Sequence, residues 1–203
     1  MESDTATVSP TGTRHRRSAT VVVIAGVLII IGALGSAVLD GLWVLILAGF
    51  LGMVIGVPGL HKGQAPHDGA PGRWGSLLIQ VGAGIMILLG LAFLVWEAVG
   101  DPPEAGPAAV DVAWMVGFAA FVLGVILFAI GIIKANVLPA VAGWLMLVGI
   151  VAAVVIDMAT GAFFADDDSV TEWGFLIGLP LFGLGLAWAG YAAHNDRRRG
   201  QLT

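Results

Sequence analysis

The chain contains no cysteine, which excludes disulfides, thiolate nucleophiles and Cys-ligated metals. Charge is also scarce. Its 203 residues carry 9 Lys and Arg against 14 Asp and Glu, 11% in all, where a soluble domain devotes roughly a quarter to charge. No nucleophile elbow, P-loop, dinucleotide fingerprint or HExxH spacing occurs. We therefore expect no enzymatic activity and no cofactor. A basic surface long enough for nucleic acid is missing as well.

What remains is apolar. Hydrophobic residues make up 58% of the chain and the mean hydropathy is +0.96. A soluble fold of this size could not hide so much apolar surface behind so few charges, so the solvent for most of the chain is lipid. Six charge-free stretches follow one another, at residues 19–39, 41–60, 76–96, 112–133, 137–156 and 173–193. Each is close to the ~20 residues a helix needs to cross a hydrocarbon core. The runs do not alternate polar and apolar residues as barrel strands would. The expected fold is all-α: a polytopic, glycine-rich bundle of six transmembrane helices spanning residues 19–194, between a disordered basic tail at 1–18 and a basic tail at 195–203. Asp40-Gly41 and Lys134 to Pro139 read as turns between closely paired helices. In composition the chain resembles small multi-pass proteins of high-GC bacteria, and no motif names a family.

Orientation follows from the bases. Arg14, Arg16 and Arg17 precede the first span, Lys62 and Arg73 separate the second and third, Lys134 follows the fourth, and Arg197, Arg198 and Arg199 follow the sixth. With six spans, all of them share one face. The positive-inside rule makes that face cytoplasmic and the protein a resident of the inner (plasma) membrane with both termini inside. These bases also sit where anionic headgroups of the lipid bilayer lie. Trp43, Trp96, Trp114 and Trp173 mark outer span ends, and Trp74, Trp144 and Trp188 inner ones, as aromatic belts do. A basic segment before an apolar run also describes a signal peptide. The run from Ala19 is longer than the usual 7–15 residues of such a core, and Ala33-Leu34-Gly35 is a poor cleavage site, so the first helix is expected to stay.

Inside the spans the distinctive residue is glycine, 30 in all. Gly49, Gly52, Gly56 and Gly59 share one face of the second helix. Gly117, Gly124 and Gly131 recur every seven residues on the fourth, and Gly174 and Gly178 form a small-xxx-small pair on the sixth. Such faces let helix backbones approach closely. They are the candidate packing sites, serving either the bundle itself or a homo-oligomer or partner membrane protein. A loose likeness between Ala48-Gly49-Phe50 and Ala119-Ala120-Phe121, each followed by glycine and then lysine, suggests three hairpin repeats.

Polar candidates are few. Gln80 lies within a span, about one turn from the cytoplasmic end of the third helix, and reads as an interhelical hydrogen bond or an interface contact. Asp157 and Glu97 lie at outer helix ends, where water should solvate them, and no buried counter-ion pair is expected. The stretch from Phe163 to Asp168 reads as a solvated acidic turn without metal. His15, His61, His67 and His194 gather on the inner side, and His61, His67, Asp68 and His194 form a weak zinc set. Solvated histidines are the simpler reading. The sequence thus points to an accessory or structural membrane protein, with a small transporter or channel subunit as the alternative.

Overall fold

Lipid cannot satisfy backbone polar groups, so apolar runs of this length must close their own hydrogen bonds as helices. The computed structural model describes residues 10–39, 41–100, 108–161 and 173–199, with the side chains of 10–16, 66 and 196–199 left aside. Among the described residues the chain is helical, and six of its helices are long and apolar enough to cross a membrane. They are α1 (Pro10–Ser36), α2 (residues 43–68), α3 (residues 70–99), α4 (Ala108–Ala135), α5 (Ala140–Thr160) and α6 (Trp173–Arg199). Helix α1 starts before Ala19 and α6 runs past His194, so parts of both expected tails are helical. Asp40 and the acidic stretch from Phe163 to Asp168 lie outside the described residues.

The largest departure from expectation is the segment between the second and third spans. Its Gly, Pro and His content suggests a loop from about residue 61 to 75. The structure instead continues helix from Trp43 to Val99, with Gly69 alone non-helical at φ 62°, ψ −154°. Only glycine adopts that conformation without penalty, so a single residue reverses the chain. Pro71 falls in the first turn of α3, where its missing N–H costs nothing. The other turns are equally economical. Gly100 closes α3 in the left-handed region, its N–H donating to Trp96 O at 3.2 Å. Asn136 ends α4 at φ 51°, a conformation its short polar side chain tolerates.

Successive helices run antiparallel and the ring closes where α6 returns to α1. The contacts are backbone-close. A Cβ built on Gly52 would lie 2.8 Å from Ala25 Cβ, one on Gly56 2.5 Å from Val22 Cγ2, and one on Gly49 2.5 Å from Ile29 Cγ1. Gly59 faces Ser18 on the same α1–α2 seam. On the α3–α4 seam, a Cβ on Gly117 would lie 2.7 Å from Ile85 Cγ2, one on Gly124 2.5 Å from Ile79 N and one on Gly131 2.8 Å from Gly72 Cα. On the α5–α6 seam, Gly174 abuts Ala153 and Asp157, and a Cβ on Gly178 would lie 2.5 Å from Ala153 N. A Cβ on Gly190 would lie 2.8 Å from Ala19 O, where the ends of α1 and α6 come together. All nine candidate packing glycines thus lie against other helices of their own chain.

At the centre, Phe50 of α2, Phe121 of α4 and Phe182 of α6 are fully or almost fully buried. Phe50 and Phe121 have ring centroids 4.9 Å apart, and Phe121 meets Phe182 edge-on at 6.0 Å and 80°. Such pairs add ~0.5–1.5 kcal/mol each beyond area burial. Met53, Met146, Ile29, Ile79 and Ile150 fill the space around them. Leucine, valine and isoleucine cover the outside, as lipid solvent allows.

One pair of glycines on α3 gives a direct test. A Cβ at Gly82 would drive into the Phe121 backbone, whereas nothing lies within 4 Å at Gly84. Gly82→Ala should lower unfolding stability in detergent by about 1–3 kcal/mol. Gly84→Ala should leave it unchanged or raise it by up to about 1 kcal/mol through better helix propensity. Equal effects from the two substitutions would contradict the packing described.

Candidate functional site

In a bundle this apolar, the informative residues are the polar ones that the fold buries. Four stand out, at 1–3% exposure: Gln64, Asp68, Ser76 and Asp157. Three of them cluster at the end of the bundle that carries the chain termini, and Asp157 sits at the far end.

The terminal-end cluster begins on the last turns of α2. His61, Gln64 and Asp68 are spaced by three and four residues, so one helical face carries all three. Two glycines make the berth for Asp68. A side chain at Gly72, one turn into α3, would collide with the carboxylate, and a Cβ at Gly131 of α4 would lie 3.7 Å from Asp68 Cβ. Asp68 Oδ2 lies 2.7 Å from His61 Nδ1, with the imidazole side chain 20% exposed and the carboxylate 1%. An ionised Asp68 requires that Nδ1 carry the proton, whether His61 is neutral or cationic. Asp68 Oδ1 has no partner, and neither Nε2 nor Oε1 of Gln64 has one. Ser76 lies a turn beyond Gly72 and holds Gln80, whose Nε2 donates to Ser76 O at 3.0 Å. Gln80 is therefore bonded within α3 rather than to another helix. His194 of α6 has a buried Nδ1 without a partner.

This corrects two readings of the sequence. A buried carboxylate–imidazole pair does exist, and His61 is one of its members rather than a solvated loop residue. The zinc set does not assemble: His67 is exposed near the end of α2, and no three His, Asp or Glu side chains gather around a common point among the described residues. Of the bases, Arg17, Lys62, Arg73 and Lys134 are exposed. Arg14, Arg16, Arg197, Arg198 and Arg199 fall in the helical ends of α1 and α6, their side chains outside the described set.

At the far end Asp157 is buried at 1% exposure rather than solvated. Its Oδ1 accepts from Gly174 N–H at 2.7 Å and its Oδ2 from Phe175 N–H at 3.1 Å. These are free donors of the first turn of α6, where the helix dipole also favours negative charge. The carboxylate thus caps a neighbouring helix, and Gly174 is the residue whose missing side chain admits it. A groove lined by Asn136, Leu184, Trp188, Tyr191 and Asn195 completes the polar features of the terminal end.

The two acidic sites differ in how completely they are satisfied, and substitution should reveal it. Asp157→Ala removes both capping bonds and should cost about 2–4 kcal/mol in denaturant unfolding, with Asp157→Asn losing roughly half of that. His61→Ala strands the Asp68 carboxylate and should cost about 3 kcal/mol. Adding Asp68→Asn to His61→Ala should recover most of this loss in a double-mutant cycle; additive losses would mean that the pair contributes nothing. Compared with protein-family models, curated proteins and solved structures, the chain matches none of them, so its reading rests on this geometry.

Proposed function

We propose that this multi-pass membrane protein is an accessory or structural component without catalytic activity, and that it engages a further membrane helix through the outer face of α3. One observation carries the reading. Among the described helical glycines, every one except Gly63 and Gly84 has a neighbouring atom closer than 3.0 Å to where its Cβ would stand. Gly63 lies at the exposed end of α2, but Gly84 lies mid-span. It is flanked along α3 by Leu77, Val81, Leu88, Leu91 and Val95, each 47–69% exposed. Their spacing of four and three residues is the seam on which helices pack at a shallow angle. The glycine stripes of α2, α4 and α6 are occupied by the chain's own helices, so the docking role expected of them passes to α3.

A second copy of the chain fits this face most simply, since a seam of this kind is self-complementary about a two-fold axis. The nine bases, confined by sequence to one side, support termini in the cytoplasm and residence in the plasma membrane. The alternative of a small transporter or channel subunit draws its support from the buried polar stripe at His61, Gln64 and Asp68. Against it stands the centre of the bundle, which is filled by phenylalanine and methionine.

The cysteine-free chain makes both points testable. Gly84→Cys and Leu88→Cys chains in their own membranes should form disulfide-linked dimers under mild oxidation, while Leu123→Cys, equally lipid-exposed on α4, should not. Equal cross-linking at Leu123 would reduce the α3 contact to random collision. Single cysteines at Asp167 and Arg198 should react with impermeant thiol reagents from outside and inside respectively. Labelling of both from one side would overturn the orientation. Solute flux into liposomes carrying the purified protein would favour the transporter reading.

A further inference from the structure

We propose that the groove along the terminal half of α6 is a binding site for one anionic phospholipid of the adjoining leaflet. An acyl chain lies along the apolar part of the groove, and the phosphate lies against its polar end. The site is separate from the α3 contact, and neither depends on the other.

The shape follows from how closely α6 is packed on both sides. A Cβ on Gly26 of α1 would lie 2.7 Å from Ala187 N, and one on Gly185 would lie 2.7 Å from both Ala142 O and Met146 N of α5. The helix is therefore drawn in between two neighbours, whose outer sides stand up as walls. Val23 of α1 forms one wall, and residues 136–139, where α4 turns into α5, form the other. The groove between them has a volume of about 710 Å³, within the ~300–1,000 Å³ of ligand sites. From Leu184 to Asn195 it follows α6 for about three turns, or roughly 16 Å. That is close to the depth of one leaflet, half of a hydrocarbon core of ~30 Å.

Chemistry is sorted along that length. Toward mid-span the lining is Leu184 and Ala187, with Val23 and Leu138 at the sides. Toward the end of the helix come Trp188, Tyr191 and Asn195, and Asn136 adds a further polar side chain from the corner after α4. Indole and phenol each set a ring against hydrocarbon and a polar atom at headgroup level. A phospholipid standing upright in the leaflet meets this order, chain first and headgroup last. A water-soluble solute would leave the apolar half unfilled. The groove ends near Leu184, in the middle of α6, so a partner's spanning helix would be seated over only part of its length.

Charge selects the headgroup. Among the described residues no carboxylate lines the groove. The chain segments at its polar end, 134–139 and 195–199, hold Lys134, Arg197, Arg198 and Arg199 against the single acid Asp196, and Lys134 is exposed. Bases beside a span attract anionic lipid. Asn136, Tyr191 and Asn195 supply neutral donors for phosphate oxygens.

Two tryptophans make the test internal to the protein. Trp188 lines the groove and Trp144 of α5 does not, although they are similarly exposed, at 47% and 54%. Gly185 packs between Ala142 and Met146, which sets the two rings within about one turn of each other in depth. Fluorescence of the full chain is read in phosphatidylcholine bilayers with increasing phosphatidylglycerol brominated high on its acyl chains, since bromine quenches a ring it touches. Comparison with Trp188→Phe and Trp144→Phe isolates each signal, and neither lipid-exposed position endangers folding. Quenching of Trp188 should reach half its limit at a several-fold lower fraction of the brominated anionic lipid than quenching of Trp144. Brominated phosphatidylcholine should quench the two alike. Equal dependence on the anionic lipid at both tryptophans would mean ordinary boundary lipid and overturn the site. A preference at Trp188 that brominated phosphatidylcholine reproduces would overturn the anionic headgroup.

Discussion

Backbone-to-backbone contact between antiparallel helices is the constraint on which everything else in this bundle depends. Lipid tails solvate leucine as well as another leucine does, so exclusion from water supplies no force between helices inside the membrane. What remains is dispersion, which decays within a fraction of an ångström of ideal separation. Helices must therefore come close along their whole length, and a side chain in the seam prevents it. Gly124 against the Ile79 backbone and Gly178 against that of Ala153 show the consequence, with one helix's glycine receiving the other's main chain. Once the seams are set, the large residues between them are forced inward, and Phe50, Phe121 and Phe182 meet at the centre.

The same close approach governs where polarity survives. Asp157 is tolerated because Gly174 lets two free N–H groups of α6 reach both of its oxygens. Both of its oxygens are spent on capping. At the terminal end the glycines at 72 and 131 admit Asp68 in a similar way, but only one of its oxygens is bonded. The bundle is thus asymmetric in chemistry although its seams repeat one design. One buried carboxylate is closed by structure, and the other keeps bonding capacity in reserve beside an unsatisfied amide.

Much of the architecture was legible in the residues themselves. Each of the six apolar runs falls within one of six helices long and apolar enough to cross a membrane, although several helices run longer than the runs. The turn around Gly69 was not legible, because Gly, Pro and His in residues 61–75 have poor helix propensity and suggest a loop. Packing against α4 outweighs propensity there, and a single positive φ replaces a loop of fifteen residues' expectation. Asp68 and Asp157 were misjudged for a related reason. Asp157 directly follows an apolar run and Asp68 lies in the polar segment between two of them, where charge ordinarily marks the water interface, and nothing local distinguishes a solvated carboxylate from one tucked under a neighbouring helix.

By itself, the sequence determined the solvent, the number of spans and the face on which the bases gather. Each of these is a sum of single-residue transfer free energies, which needs no knowledge of neighbours. Tertiary structure alone decided which glycine faces are filled from within the chain and which is left open at Gly84. It also decided that His61 meets Asp68, and that Asp157 meets the start of a helix 17 residues later in the chain. Those outcomes are pairwise: they depend on distances between residues remote in sequence, set only when six helices settle into one register.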